Sequence, residues 1–164
     1  RKNIGTPLDT GSMLMIAEFD PVHPERLISE PKCLSRPLYG FENTEHTINN
    51  EGPYAFYYNN KIYLAYSGGD ARGYLYAIGM LTANDGDDLC DLSVWEKAKT
   101  PIASFATIPG EYGPGHNSFF WDRDQNLWIA YHAVTSFEEK IVSSGMRRVY
   151  FEQDKTPRFD VIVE

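Results

Sequence analysis

Residues 52–67 read GPYAFYYNNKIYLAYS, and a similar stretch, GHNSFFWDRDQNLWIAYH, occupies residues 115–132. In each stretch, two runs rich in aromatic and aliphatic residues flank a polar turn, Asn59–Asn60 in the first and Asp122–Asp124 in the second. This pattern predicts two β-hairpins. Because the hairpins begin about 63 residues apart, we predict an all-β repeat protein.

The same period extends over most of the chain. The segment GSMLMIA at residues 11–17 is similar to GYLYAIG at residues 73–79, so one repeat unit would begin before residue 1. A unit of this length holds four strands with their loops and exceeds the roughly 40 to 50 residues of the commoner propeller repeats. We therefore expect four-stranded blades of a β-propeller, with an open two-sheet sandwich as the alternative.

The chain would cover about two and a half blades. We predict the outer half of one blade and a linker over residues 1–50, a full blade over 51–108 and the last blade over 109–164. One helical turn is expected at Asp91–Lys97, capped by Asp91. Since a propeller closes with about four or more blades, we expect missing N-terminal blades or a partner chain to complete the fold.

The composition and the net charge of the chain exclude some classes of partner. With 42% hydrophobic and 23% charged residues among 164, the chain is typical of a globular domain. Its 23 acidic and 15 basic side chains give a formal net charge of −8, so we expect no nucleic-acid partner and no membrane partner. No apolar run approaches the roughly 18 residues of a membrane helix. The sequence shows no signal peptide, which leaves a cytoplasmic or a secreted location open.

A first candidate site lies where the first hairpin begins. Glu51 directly precedes Gly52, Pro53 and the aromatic run that starts at Tyr54, so it would stand at the entry of an innermost strand and face a central channel. A carboxyl group desolvated by aromatic neighbours can hold its proton at neutral pH and act as a general acid. The alternative is an ordinary glutamate in a turn.

A second candidate lies at the matching point of the second hairpin. The repeat places His116 one position past the counterpart of Glu51. Gly113 and Gly115 allow the backbone to pass close to another group. An imidazole at this position could orient a carboxylate, donate to a sugar hydroxyl or ligate a metal ion. A structural histidine is the alternative.

Taken together, these segments resemble family 43 of the glycoside hydrolases, five-bladed β-propellers that include β-xylosidases and α-L-arabinofuranosidases. In that family a Glu-Gly-Pro motif opens the fourth blade and supplies the general acid, which falls on Glu51. A Gly-His-Asn-Ser segment opens the fifth blade and falls on residues 115–118. The resemblance implies that this chain is the C-terminal part of such a propeller. It places His116 at the channel centre, where it would bind substrate and a hydrated calcium ion, and it implies no organic cofactor.

The resemblance also suggests further substrate contacts. Phe41, in the stretch Leu38–Glu42, stands where the family usually has the tryptophan of a Pro-Trp-Glu stretch, and Tyr54 would form an aromatic wall. A fifth-blade arginine that reaches the substrate in some members falls on Arg147 or Arg148. Alternation along a strand lets only one of these two face inward.

The activity implied by the resemblance is inverting hydrolysis of arabinofuranosyl or xylosyl linkages in plant oligosaccharides or polysaccharides. Such enzymes also use a base Asp and an Asp that tunes the acid, and both would lie upstream of residue 1. An inverting mechanism needs two carboxyl groups roughly 6.5–9.5 Å apart, so the isolated chain is expected to be inactive. A non-catalytic carbohydrate-binding or scaffold half-propeller is the alternative, and a propeller used for protein contacts is a third possibility.

Other chemistry-bearing residues carry weaker signals. Residues 84–91 are acidic but lack the ligand spacing of a calcium loop, which favours a solvated turn. Cys33 and Cys90 match no zinc spacing and no disulfide framework. His132 alternates with the strand pattern, so we expect it to pack in the core or to support the site from behind.

Overall fold

The computed structural model of the chain describes residues 1–136, 138 and 141–161. Within these residues the regular structure is almost entirely β-strand, with two short 3-10 segments at Gly40–Glu42 and Leu92–Val94. The strands are β1 (Leu14–Ile16), β2 (Lys32–Ser35), β3 (Asn43–Thr44), β4 (Thr47–Ile48), β5 (Asn50–Tyr58), β6 (Lys61–Gly68), β7 (Ala77–Asn84), β8 (Glu96–Lys97), β9 (Tyr112–Trp121), β10 (Leu127–Val134), β11 (Val142–Arg148), β12 (Tyr150–Phe151) and β13 (Pro157–Arg158).

Two antiparallel sheets follow the order of the chain. β5, β6, β7 and β8 form a four-stranded sheet, and β9, β10 and β11 form a three-stranded sheet. The turn between β5 and β6 has φ angles of 50° at Asn59 and 61° at Asn60, which a two-residue hairpin turn of type I′ requires and asparagine tolerates. In the turn between β9 and β10, the carboxylate of Asp122 accepts hydrogen bonds from the backbone amides of Asp124 and Asn126. Both predicted hairpins are confirmed.

The main hydrophobic core lies between these two sheets. Phe56 of β5 stacks on Tyr63 of β6, with ring centroids 4.9 Å apart, and meets Phe119 of β9 at 4.5 Å. The opposite face of the four-stranded sheet packs against β1 and β2 through a smaller cluster that includes Leu14, Tyr66 and Leu81. The other buried side chains of the main core are Ala65, Ile78, Met80, Ala103, Ile108, Leu127, Ile129, Tyr131, Ala133, Val149 and Phe159. The packing of these side chains fixes the first strands of the two sheets, β5 and β9, relative to each other.

Each sheet carries a β-bulge near the start of its first strand. Between the two residue pairs that flank each bulge, the first strand advances by three residues and the second strand by two. The first strand therefore contains one extra residue. The pairs that flank the bulges are Glu51–Ser67 and Tyr54–Ala65 in the first sheet, and Gly115–His132 and Ser118–Ala130 in the second. The two sheets therefore repeat not only their strand order but also this irregularity.

Gly52 and His116 occupy equivalent positions in the two bulges. Both residues have left-handed backbone, with φ angles of 54° and 51°. Glycine adopts this conformation freely, whereas a residue with a Cβ atom does so at a cost of roughly 1–2 kcal/mol. The counterpart of Glu51 is Gly115, so His116 stands one position past it, as the repeat predicts.

The all-β prediction is confirmed. The β1–β2 pair lies within residues 1–50, the four-stranded sheet starts at Asn50 and the three-stranded sheet lies within 109–164. The sheets of the described residues form no closed ring, and the number of blades stays a prediction. The helical turn expected at Asp91–Lys97 is shorter, a 3-10 segment over Leu92–Val94 in which Asp91 accepts a hydrogen bond from the amide of Ser93.

Cys33 and Cys90 are free thiols. In the part of the chain that the structure describes, no helix has the length and apolar character needed to cross a bilayer.

Candidate active site

The structure brings Glu51 and His116 together at the bulged starts of β5 and β9. Gly52, which follows Glu51, lies against the imidazole of His116, because a Cβ atom added to Gly52 would be 3.4 Å from Nδ1 of that ring. Glu51 is half-buried and His116 is exposed. Since Gly52 adjoins Glu51 in the chain, the two predicted site residues are neighbours at the junction of the sheets.

Tyr76, which no sequence motif marks, holds the carboxylate of Glu51. Its hydroxyl donates to Oε1 over 2.8 Å, and its side chain is fully buried. Burial raises the pKa of Tyr76 far above its usual value, and the hydrogen bond to Glu51 acts in the same direction. The hydroxyl therefore stays protonated and remains a donor. Within the described residues, the side chain of Glu51 accepts no other hydrogen bond.

Three stacked rings connect Tyr76 with His116. The ring of Tyr76 lies 5.6 Å from that of His132 with an interplanar angle of 11°, and His132 lies 6.3 Å from His116 with an angle of 14°. Burial lowers the pKa of His132, so its imidazole is neutral at neutral pH. Its Nε2 atom is buried and has no partner among the described residues. His132 also lines the cleft beside His116, and its expected supporting role stays a prediction.

Two further features fix the arrangement. Oγ of Ser67 accepts a hydrogen bond of 2.8 Å from the backbone amide of His116, which ties β6 to β9 at the left-handed residue. A Cβ atom at Gly115 would lie 2.1 Å from Cε1 of Tyr76. Because such a contact is sterically impossible, the Tyr76 ring can occupy its place only beside a glycine.

Tyr54 lies on the same face of β5 as Glu51, three residues further along the strand. Its side chain is 43% exposed, and its ring is 6.0 Å from the ring of Phe119 at the edge of the main core. Phe56, which follows on that face, is buried in the core. The aromatic group in contact with Glu51 is Tyr76, and the role of Tyr54 in substrate binding stays a prediction.

Phe41 packs behind the start of β5. Its ring lies 6.3 Å from that of Tyr39 and 6.5 Å from that of Tyr66. It also lines an apolar cleft with Leu75 and Phe105. The described contacts of Phe41 are therefore with other apolar and aromatic groups, and its predicted contact with substrate is not tested by them.

Arg147 and Arg148 lie on opposite faces of β11, as strand alternation predicts. Arg147 donates to Oε1 of Glu111 and to the hydroxyl of Tyr131, both over 2.7 Å. Arg148 places its guanidinium 5.1 Å from the centre of the Tyr150 ring. Arg147 is thus already engaged by a carboxylate, and which of the two arginines reaches a substrate stays a prediction.

The stretch Leu38–Glu42 holds a second carboxylate, which is fully buried. Nζ of Lys97 lies 2.5 Å from Oε1 of Glu42, and the Lys97 side chain is 15% exposed. The remaining donors to Glu42 are the amides of Leu38 at 2.6 Å and Tyr39 at 2.7 Å, the hydroxyl of Tyr66 at 2.7 Å and Nδ2 of Asn50 at 2.9 Å. Every lone pair of this carboxylate is accounted for, so Glu42 has a structural role. Because Asn50 directly precedes Glu51, its hydrogen bond ties the buried carboxylate to the start of β5.

The donor set around His116 does not form a calcium site by itself. Calcium prefers six to eight oxygen ligands, whereas this histidine offers one ring nitrogen. Among the described residues, only Glu18, Asp88 and Cys90 group three metal-ligating side chains, and they lie elsewhere. Calcium at the channel stays a prediction.

The fold and the site together define a class of protein. A carboxyl group with one oxygen anchored and the other free to exchange a proton, placed where antiparallel sheets meet, is suited to general acid catalysis. On the adjacent sheet, His116 and His132 line a cleft of about 450 Å³ whose described walls do not include Glu51; its volume is within the range of small-molecule sites. An all-β protein with a carboxyl group in this setting is compatible with the class of hydrolases that use a general acid, which glycosidases pair with a second carboxylate.

The comparison with known families is consistent with this class. The chain belongs to the glycosyl hydrolases family 43, whose sequence profile matches residues 9–157. The resemblance drawn from Glu51–Pro53 and residues 115–118 is thereby confirmed.

Two bacterial relatives are described as extracellular exo-α-(1→5)-L-arabinofuranosidases. That of Streptomyces avermitilis is 29% identical over 94% of this chain, and that of Streptomyces chartreusis is 35% identical over 76% of it. The aligned segments cover 33% and 37% of those proteins. The chain therefore spans about a third of the length of these relatives.

Solved structures show the same relationship. An α-L-arabinofuranosidase from Lactobacillus brevis is 30% identical with a TM-score of 0.77, over 90% of this chain and 46% of that protein. A thermostable family-43 glycoside hydrolase is 26% identical with a TM-score of 0.71, over 89% of this chain and 46% of that one. The arrangement of strands is thus that of roughly half a solved family member.

Proposed function

We propose that this protein is an inverting glycoside hydrolase that releases arabinofuranosyl or xylosyl units from plant oligosaccharides or polysaccharides. The observation that carries the proposal is the position of Glu51, anchored by Tyr76 through one oxygen and adjacent to His116. The names of the relatives favour an α-L-arabinofuranosyl linkage as the substrate. Their description as extracellular favours a secreted protein.

In the proposed reaction, Glu51 is the general acid. Its carboxyl group protonates the glycosidic oxygen as the bond to the anomeric carbon breaks, and a water molecule attacks that carbon from the opposite face. The base that activates this water would be an Asp supplied from outside residues 1–164. The acid and the base must be separated by roughly 6.5–9.5 Å so that the water fits between them.

The surroundings of Glu51 support this role. His116, on the adjacent strand, is exposed toward the cleft and can hydrogen-bond to a sugar hydroxyl. A complete propeller of five blades would close around this cleft, with the four-stranded and three-stranded sheets as two successive blades. Blades supplied by the rest of the protein would provide the remaining walls and carboxylates.

The proposal is tested with the full-length protein and the variant Glu51→Gln. Glutamine keeps the shape of the side chain but cannot donate an acidic proton. We expect the variant to lose about 100-fold to 10,000-fold in kcat on an arabino-oligosaccharide. It should lose far less on a p-nitrophenyl arabinoside, whose leaving group needs little protonation. Glu96→Gln, an exposed site on β8, is the matched control and should retain both activities.

Two outcomes contradict the proposal. Equal losses on the two substrates would exclude Glu51 as the acid. Saccharide binding without any hydrolysis by the unaltered full-length protein would instead favour the non-catalytic carbohydrate-binding module.

A further inference from the structure

Tyr76 is the only residue described here that hydrogen-bonds to the side chain of Glu51. It is also among the most deeply buried residues of the chain, with no exposed surface. The hydroxyl of a buried tyrosine usually forms a hydrogen bond. Here its acceptor is Glu51, the residue to which we assign the role of general acid.

Two neighbours restrict the position of the Tyr76 ring. His132 stacks on it at 5.6 Å, and Gly115 leaves space for it where any Cβ atom would clash at 2.1 Å. On the strand that carries Gly115, the backbone amide of the next residue, His116, donates to Oγ of Ser67, which holds β9 against β6 beside the ring. The donor is thus fixed before any substrate binds, which is the condition for a preorganised catalytic group.

The hydrogen bond distinguishes the two oxygens of Glu51. A carboxyl group can carry its proton on either oxygen. Oε1 accepts from Tyr76, whose hydroxyl stays a donor, so a proton on Oε1 would have to share that oxygen with the tyrosine. Oε2 has no such competitor among the described residues. The neutral acid therefore carries its proton on Oε2.

We infer that Tyr76 is a positioning residue for the acid, which holds Glu51 by Oε1 so that Oε2 presents the proton to the leaving oxygen. This inference rests on the proposed function of Glu51. It assigns to Tyr76 no contact with the substrate and no transfer of a proton of its own.

The test uses Tyr76→Phe in the full-length protein, which removes one oxygen atom and keeps the ring. A displaced acid protonates the leaving group poorly, and an error of about 1 Å in position can cost roughly 100-fold in rate. We expect kcat on an arabino-oligosaccharide to fall about 10-fold to 100-fold, and kcat on p-nitrophenyl arabinoside to fall less than about threefold. KM should change less than about twofold on either substrate, since Tyr76 does not bind the sugar.

Tyr63→Phe is the matched control. Tyr63 is also buried, and its hydroxyl donates over 2.8 Å to the backbone carbonyl of Lys155, away from Glu51. Its loss has a comparable structural cost, so we expect the ratio of the two substrate activities to stay at the unaltered value. A purely structural role for Tyr76 would lower both activities equally, and that result, or no loss at all, would overturn the inference.

A second variant keeps the test decisive if Tyr76→Phe does not fold. Gly115→Ala keeps the tyrosine but displaces its ring, because the added Cβ atom would lie 2.1 Å from Cε1 of Tyr76, and it should produce the same selective loss. An unchanged substrate ratio in this variant would overturn the inference in that case. Failure of the proposed function is recognised separately, because Glu51→Gln would then leave hydrolysis intact or lower it equally on the two substrates.

Discussion

Lys97→Met is the substitution whose effect follows most directly from the structure. Methionine fills a similar volume but removes the ammonium group that lies 2.5 Å from Oε1 of Glu42. The Glu42 side chain has no exposed surface, so its charge cannot be solvated when the lysine is lost. Breaking a buried ion pair in this way costs roughly 3–5 kcal/mol, because the remaining charge is left uncompensated. We expect a decrease of that size in the free energy of unfolding at pH 7.

The pH dependence of the loss gives a sharper test. Burial alone would raise the pKa of Glu42, but the hydrogen bonds from Lys97, Tyr39 and Tyr66 outweigh it and hold the pKa below its usual value. A carboxyl group with a lowered pKa stabilises the fold above its unfolded pKa, and this stabilisation is lost as the pH falls through the folded value. Without Lys97, the folded pKa rises and Glu42 takes up a proton at a higher pH. The cost of Lys97→Met should therefore be largest at neutral pH and smaller near pH 4.

The measurement is urea unfolding of the full-length protein, followed by tryptophan fluorescence at pH 7 and pH 4. The double variant Glu42→Gln/Lys97→Met removes both charges and should recover part of the stability lost at pH 7. A cost below about 1 kcal/mol at pH 7, typical of an exposed pair, would refute the reasoning. So would a cost that does not change between the two pH values.

Three further predictions concern the site and the core. Gly115→Ala should lower hydrolysis of an arabino-oligosaccharide at least about tenfold, because its methyl group displaces the Tyr76 ring and with it the anchor of the acid; steady-state assays measure this. Phe119→Ala should cost about 3–5 kcal/mol in denaturant unfolding, since it opens a cavity between the two sheets. Arg147→Ala should cost about 1–3 kcal/mol by the same measurement, because Glu111 loses its cationic partner; an unaltered unfolding curve would show that this pair contributes nothing.

The hairpins could be predicted from the sequence because their determinants are local. Asn59 and Asn60 adopt the left-handed turn within two residues of the strands they join, and Asp122 closes the other turn through amides two and four residues on. The proximity of Glu51 and His116 could also be predicted. It follows from the repeat, since equivalent positions of successive sheets meet at the same end.

The bulge and its consequences could not be predicted. Simple alternation would place Glu51 and Tyr54 on opposite faces of β5, but the extra residue at Gly52 returns them to one face, where Tyr54 meets Phe119. The partner of Glu51 is Tyr76, which is 25 residues away in the chain. Nothing in the composition or spacing around Tyr76 distinguishes it from the other tyrosines. Tyr76 directly precedes β7, and the position of its hydroxyl depends on how β7 packs against β9.

The burial of Glu42 could not be predicted from the sequence either. Its residue type and its place next to Phe41 indicate a surface loop as readily as a core, and its partner Lys97 lies 55 positions further on, in a strand of two residues. A charge pair across such a distance becomes visible only when the fold is known.

The histidine at the left-handed position of β9 has a consequence for engineering. Its counterpart Gly52 shows that the backbone at this point favours a residue without a side chain, so a glycine at 116 would relieve strain while deleting the imidazole. Screens for heat-resistant variants would therefore tend to select against the very group that faces the cleft. At position 116, stability favours glycine whereas activity requires the imidazole. Directed evolution of the protein should therefore keep His116 unchanged.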